Sequence, residues 1–289
     1  MSRGGPLALV DCPTGLAGNM LLAALFDLGL PQQAVEQPLA AIGLEGRFRL
    51  QLEERRSGGL RGLHLAVASL EPEPAHRHWS ELQALISEAP WPEPLRQRVL
   101  AVFTLLAEAE AAVHGHEPAQ VHFHEVGALD ALVDVVGVCA GLLHFGVQQL
   151  VCTPPPAGHG TVSTAHGVLP VPAPAVLELA RRRQVPLATS GDFPPAELTT
   201  PTGLALMAAL ADRFAPAPAL VPQAIGVGLG SRALDRPNLL RLVLAEPHEP
   251  ADALQWEPLL QQQAQIDDST AEDLAFLIEE LRAAGALEV

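Results

Sequence analysis

A chain of 289 residues with 48% hydrophobic but only 4% aromatic content, and no Tyr, has the material for an aliphatic, alanine-rich core in one large or two ordinary domains. All 17 basic residues are Arg, which excludes a lysine Schiff base and a P-loop lysine; the formal charge of −16 argues against a nucleic-acid partner and favours collecting cations. Cys12, Cys139 and Cys152 form no CxxC pair, no signal peptide opens the chain, and the most apolar run (residues 131–145) is too short to span a bilayer, so a cytoplasmic protein without membrane association is expected.

Residues 6–10 read as a first strand. It feeds the loop DCPTGLAGN, with Asp11 at the strand's carboxyl end, where α/β proteins place ligands. Asn19 is the expected N-cap of the helix MLLAALFDLG, which Gly29 terminates. Gly15 and Gly18 either let backbone N–H groups approach an anion at that helix N-terminus or simply form a tight strand-to-helix turn. GxGxxG and GK[ST] spacings are both absent. Residues 47–70 alternate on either side of Gly58-Gly59, which predicts an antiparallel hairpin. A short helix over 79–88 and a long one over 94–113 follow, the second with a stripe of Leu95, Val99, Val102, Phe103, Leu106 and Val113.

Two imidazoles and three carboxylates then fall between residues 122 and 134. Strand parity in VHFHEV puts His122 and His124 on one face, with Val121, Phe123 and Glu125 on the other. The segment DALVDVVGVCAGLLHF reads as a helix on which Asp130 and Asp134, one turn apart, share a face. Carboxylates on so apolar a helix are costly unless charge or hydrogen bonds compensate them. A metal ion held by His122, His124, Asp130 and Asp134 would do so, and ligand softness narrows it to Zn, Ni, Fe or Cu. The alternative makes Asp130 a helix-dipole residue, Asp134 the partner of an Arg, and the histidines loop residues.

A strand over 149–153 leads into a Gly-, Pro- and Thr-rich stretch over 154–174, read as a binding loop. Its His159 and His166 either join the metal site or hydrogen-bond locally, and His114 and His116 read as capping residues at a helix end. Helices over 174–183 and from the Thr pair at 199–200 onward, then strands near 219–227 and 239–245, close the main body. Gly228, Gly230 and Arg232 in GVGLGSR form either a phosphate cradle with its charge partner or a bulged turn. Cys12 is either a soft-metal ligand or a buried small residue. The expected organisation is an α/β body over 1–245 with a mixed sheet, a Pro- and acid-rich linker over 246–263, and the start of a truncated second domain over 264–289.

The blocks DCPTGLAGNMLLAALFDLG, VHFHEVGALDALVDVVG, GTVSTAHGVLPVPAPAVLEL, ELTTPTGLALMAAL, GVGLGSRALDRPNLLR and IDDSTAEDLAFLIEELRAAGALEV resemble the LarC family of nickel insertion proteins, in order and over nearly the whole chain. The resemblance implies a lyase-class nickel chelatase or cyclometallase. It would insert Ni2+ into pyridinium-3,5-bisthiocarboxylic acid mononucleotide, giving the nickel-pincer cofactor for a client enzyme such as lactate racemase. The step would be CTP-dependent, with Mg2+ or Mn2+ accompanying the nucleotide. On this reading His122, His124, Asp130 and Asp134 hold the metal. Asp11, Asn19 and Glu125 are the catalytic candidates, and Gly15, Gly18, His159, His166, Gly228, Gly230 and Arg232 are candidates for binding the mononucleotide.

Two departures stand out. The family's GDM reads Gly18-Asn19-Met20 here, a neutral amide in place of a carboxylate. Family members also continue past the position of Val289 into a domain associated with the nucleotide, so a separate C-terminal polypeptide is an expected partner, and a homo-oligomer is compatible. The competing readings are a nickel delivery protein without catalysis and a metal-dependent hydrolase.

Overall fold

The computed structural model describes residues 6–70, 77–123, 129–164, 167–247 and 260–289. The chain divides into two compact units, Met1–His248 and Glu249–Val289. In chain order the first unit contains β1 (Leu7–Asp11), α1 (Gly18–Asp27), α2 (Gln33–Ala41), β2 (Phe48–Ser57) and β3 (Leu60–Ser69). Next come β4 (Arg77–His78), α3 (Trp79–Ser87), α4 (Glu93–His114), β5 (His122–Phe123), α5 (Leu129–His144) and β6 (Gln149–Cys152). The remainder is β7 (Gly160–Thr164), β8 (Gly167–Val171), α6 (Pro174–Arg183), α7 (Pro201–Leu210), β9 (Arg213–Phe214), β10 (Leu220–Leu229) and β11 (Leu239–Pro247).

Seven of these strands form a mixed sheet in the order β2-β3-β10-β11-β1-β6-β9. β1 runs antiparallel to β11 and parallel to β6, and β10 is antiparallel to β11. The carboxyl ends of β1, β6 and β10 therefore lie along one edge, beside the start of β11. The expected hairpin is present: β2 and β3 pair in register from Phe48↔Ser69 to Ser57↔Leu60 around Gly58-Gly59.

β1 is apolar without alternation because both its faces are covered, the usual reason for a continuous hydrophobic run. Ala8 and Val10 join the main core, while Leu7 and Leu9 pack with Val151, Val243 and Ala245 in a smaller cluster on the opposite face. α1 packs over β10 and β3 and against α5, and buries eight of its ten residues. Each fully buried Leu or Phe there contributes about 1.5–3 kcal/mol. So close an approach needs glycine in the sheet. A Cβ on Gly228 would sit 1.9 Å from the Met20 carbonyl oxygen, and one on Gly226 would sit 2.0 Å from that of Ala24.

Two local expectations are corrected. Asn19 does not cap α1: the N-cap is Ala17, and Asn19 lies inside the first turn with its Nδ2 donating to the Leu65 carbonyl at 3.3 Å. The stretch read as a loop over 154–174 contains the antiparallel pair β7–β8, registered from Gly160↔Val171 to Thr164↔Gly167. α2 forms despite Pro38 in its interior. By contrast, Thr200 caps α7 as expected, its hydroxyl accepting from the Gly203 N–H at 3.1 Å.

In the second unit α8 (Ala271–Ala283) opens with a capping box in which the Thr270 and Asp273 side chains satisfy each other's backbone N–H groups. No helix among the described residues is long and apolar enough to cross a membrane.

Candidate functional site

The loop that leaves β1 is held by buried hydrogen bonds rather than by its own turn. Thr14, 8% exposed, donates its hydroxyl to the Leu239 carbonyl at 3.0 Å and accepts from the Leu239 N–H at 2.9 Å. Leu16 N–H donates to the Leu198 carbonyl, and Thr200 N–H donates back to the Leu16 carbonyl, each at 2.9 Å. These bonds tie the β1–α1 loop to the segment that enters α7. On the other side, Asn238 fixes the β10–β11 connection. Its Nδ2 donates to the Arg232 carbonyl at 3.0 Å, its carbonyl accepts from Gly230 N–H at 3.1 Å, and its N–H donates to the Ser57 hydroxyl at 3.0 Å.

The three loops enclose a pocket of about 150 Å³ at the carboxyl edge of the parallel strands, the position where open α/β sheets bind ligands. Thr14, Ala17, Asn19 and Met20 line it from the first loop, Glu197, Leu198 and Thr200 from the second, and Gly230, Ser231, Arg232 and Asn238 from the third. The first turn of α1 and the N-cap of α7 both border it, so the positive ends of two helix dipoles face the space. Arg232 is exposed and makes no ion pair among the described residues. Arg236, nearby, is already committed to Asp192 and Asp235 at 3.0 and 2.8 Å and lies over the Phe193 ring. A wider groove of about 560 Å³ continues from Gly230, Ser231 and Arg232 to Arg55 and Arg56 at the end of β2. Ser231 stands at the junction, with its hydroxyl 2.9 Å from Nε2 of His64 on β3. His64 is buried, and that burial, with Arg55 nearby, holds its imidazole below the ordinary histidine value.

Asp11 ends β1 opposite Arg241, its register partner on β11, whose Nε donates to Asp11 Oδ2 at 2.7 Å. Its charge is thus paired across the sheet. Gly18 abuts Asp134: a Cβ on Gly18 would lie 2.7 Å from Asp134 Oδ2. Asp134 is 8% exposed, and its Oδ1 has no hydrogen-bond partner among the described residues. Burial, reinforced by repulsion from Asp130, holds this carboxyl well above the usual carboxylate range. Asp130 caps its own helix instead, accepting from Ala131 N–H at 2.8 Å.

His122 is exposed on β5 and pairs with His78 on β4, the ring centroids lying 3.7 Å apart. His124, Glu125 and His166 lie outside the described residues. Among the described residues no group of three or more His, Cys, Asp or Glu is arranged to hold a metal ion. His159 is not among the residues lining the pocket, and its Nε2 lies 2.7 Å from the Phe193 carbonyl. Gly15 packs against Leu198 and Asn238, while Gly228 is taken up by α1; of the two strand-end glycines only Gly230 reaches the pocket.

Sequence reasoning missed Thr14, Glu197, Ser231, Asn238 and the His64 and His78 partners. Alternation in LHLAV puts Leu63, Leu65 and Val67 on the core face and His64 on the other, so the burial of His64 could not be read from the strand pattern. The others belong to no local pattern.

The fold is thus a mixed α/β protein with a polar pocket at the carboxyl edge of its strands, rimmed by two helix N-termini and an Arg without an ion pair among the described residues. Comparison with known proteins identifies the family. The family model described as "Nickel insertion protein" matches residues 8–289, and the chain belongs to this family. A relative from Synechococcus elongatus bearing the name "Putative nickel insertion protein" is 44% identical over 98% of this chain and 71% of its own length. A like-named protein from Roseiflexus castenholzii is 43% identical over 96% of this chain and 69% of its own. No solved structure matches the chain significantly.

Proposed function

We propose that residues 1–245 form the nickel-inserting body of a protein that metallates pyridinium-3,5-bisthiocarboxylic acid mononucleotide, yielding the nickel-pincer cofactor in a CTP-dependent step. The observation that carries this reading is the convergence of three separate sequence blocks, around residues 14–20, 197–200 and 230–238, on one pocket. Each block belongs to the set that marks the family resemblance. Arg232, the two helix N-termini and the pocket's hydroxyl groups suit a phosphate monoester. Asp134, buried beside Gly18 with an unsatisfied oxygen, suits a cation approaching from the same loop. On this reading His122, His124, Asp130 and Asp134 contribute to holding nickel, Asp11, Asn19 and Glu125 surround the reacting group, and a client such as lactate racemase receives the product. With no three-ligand cluster among the described residues, no part of a Mg2+- or Mn2+-nucleotide step is assigned to them.

The test is direct. Purified protein is mixed with nickel and the metal-free mononucleotide, with and without CTP, and the products are weighed by mass spectrometry. A nickelated product that requires CTP is the expected result. Nickel retained on the protein with no product would instead mark a delivery protein without catalysis.

A further inference from the structure

Two thiols stand side by side at the carboxyl ends of neighbouring parallel strands, Cys12 just past β1 and Cys152 closing β6. Both are sealed from solvent, at 1% and 0% exposure. They converge on Thr153. Cys12 Sγ lies 3.5 Å from both the carbonyl oxygen and Oγ1 of Thr153, and Cys152 Sγ donates to the same carbonyl at 3.3 Å. The two side chains are close enough that each shifts the other's thiol. Two sulfurs and two oxygens thus crowd one small volume, one residue removed from Thr14 on the pocket wall. Neither thiol has a role in the pocket chemistry described above.

We propose that Cys12 and Cys152 are a two-sulfur relay for nickel, taking the ion as a dithiolate and passing it to the adjacent pocket. This rests on the nickel insertion reading and adds a binding site to it. Loading forms two Ni–S bonds and breaks two S–H bonds, and two protons leave, with no change in oxidation state. Thiolate is soft enough to hold a late transition metal against water. Two sulfurs nevertheless leave the coordination sphere incomplete, unlike the closed four-ligand sites that retain a structural metal. An ion so held keeps positions open for the ligands of its acceptor, which is what transfer by ligand exchange requires.

The protonation of the pair agrees with this. Contact with Cys152 draws the Cys12 thiol below its ordinary value, whereas the same contact and burial push Cys152 well up. Cys139 in α5 shows the contrast: burial alone pushes its thiol up to about 12.

The experiment uses the full chain, reduced and anaerobic, with nickel as the only added probe. Sulfur-to-nickel charge-transfer absorption in the near ultraviolet and protons released per nickel are read for wild type, Cys12→Ser, Cys152→Ser and Cys139→Ser. Wild type and Cys139→Ser are expected to show the band with two protons released. Each of the other two variants should lose the band and bind nickel more than about tenfold more weakly. A wild type without the band, or a band that survives Cys12→Ser, overturns the relay. Nickel K-edge absorption on the wild type counts sulfur neighbours directly, so the answer does not depend on how the variants fold; a shell without sulfur overturns the proposal. Nickelated product formed by a protein lacking the band would sink the relay and leave the insertion reading intact. A band with no product under any condition would do the reverse.

Discussion

Asp134 is the side chain whose surroundings are least comfortable, and its pH behaviour follows from them. It is buried, lacks a partner for Oδ1 among the described residues, and titrates well above the usual carboxylate range because of burial and then Asp130. A carboxyl raised on folding keeps its proton in the folded state while the unfolded chain releases its own. Its contribution to stability is thus fully present below the unfolded value of about 3.9 and is lost as pH rises through the folded value. Asp134→Asn retains the shape and removes the charge. In metal-free protein the variant should unfold at a higher temperature than wild type at neutral pH, by the equivalent of about 1–3 kcal/mol, with the difference closing toward pH ~4. Thermal unfolding across that range checks it, and a difference independent of pH would mean that the carboxyl is satisfied in some other way. Arg232 gives a second test at this scale. It makes no ion pair among the described residues, so its removal breaks nothing in the fold. Arg232→Ala should raise the KM for the mononucleotide about 10- to 100-fold, the usual cost of a charge-assisted hydrogen bond, with a smaller effect on kcat. An unchanged KM would place the phosphate elsewhere.

At the level of elements, the seating of α1 on β10 decides where the first loop lies. Gly228→Ala would put a methyl carbon 1.9 Å from the Met20 carbonyl, and backbone cannot yield as a flexible side chain can. The helix must lift, so we expect a loss of several kcal/mol in chemical denaturation together with weakened ligand binding, because Asn19 and Met20 would move with it. The same mutation at a mere bulged turn would cost little. This contact also shows where the sequence was legible and where it was not. The β2–β3 hairpin could be read because its alternation and its Gly-Gly turn are local, and α7 and α8 because their caps are. β7 and β8 could not be read that way: only Val171 among their described residues is buried, so no apolar alternation marks them. α2, on which no local signal was read, forms around Pro38 and packs against α5. The pocket was legible only in pieces. Asn19, Gly230 and Arg232 could be singled out one by one, but their meeting depends on β10 and β11 entering the sheet beside β1, a long-range fact that no spacing carries.

The molecule as a whole carries a formal charge of −16, with 17 Arg against 33 acidic residues. Such a field concentrates divalent cations near the surface and speeds their arrival, while the Arg residues around the 230–238 loop keep one stretch of that surface hospitable to phosphate. Under the proposed reaction, the cation and the anionic acceptor would be drawn to differently charged stretches of one protein. Screening distinguishes them. Raising ionic strength from about 0.01 M to 0.15 M shortens the reach of surface charge from about 30 Å to about 8 Å. If the field steers nickel, its association rate, followed by stopped flow, should fall several-fold over that range. Its dissociation rate should stay nearly constant, because dissociation is governed by the ligands at the site. An association rate indifferent to salt would show that the acidic surplus serves some purpose other than gathering the metal.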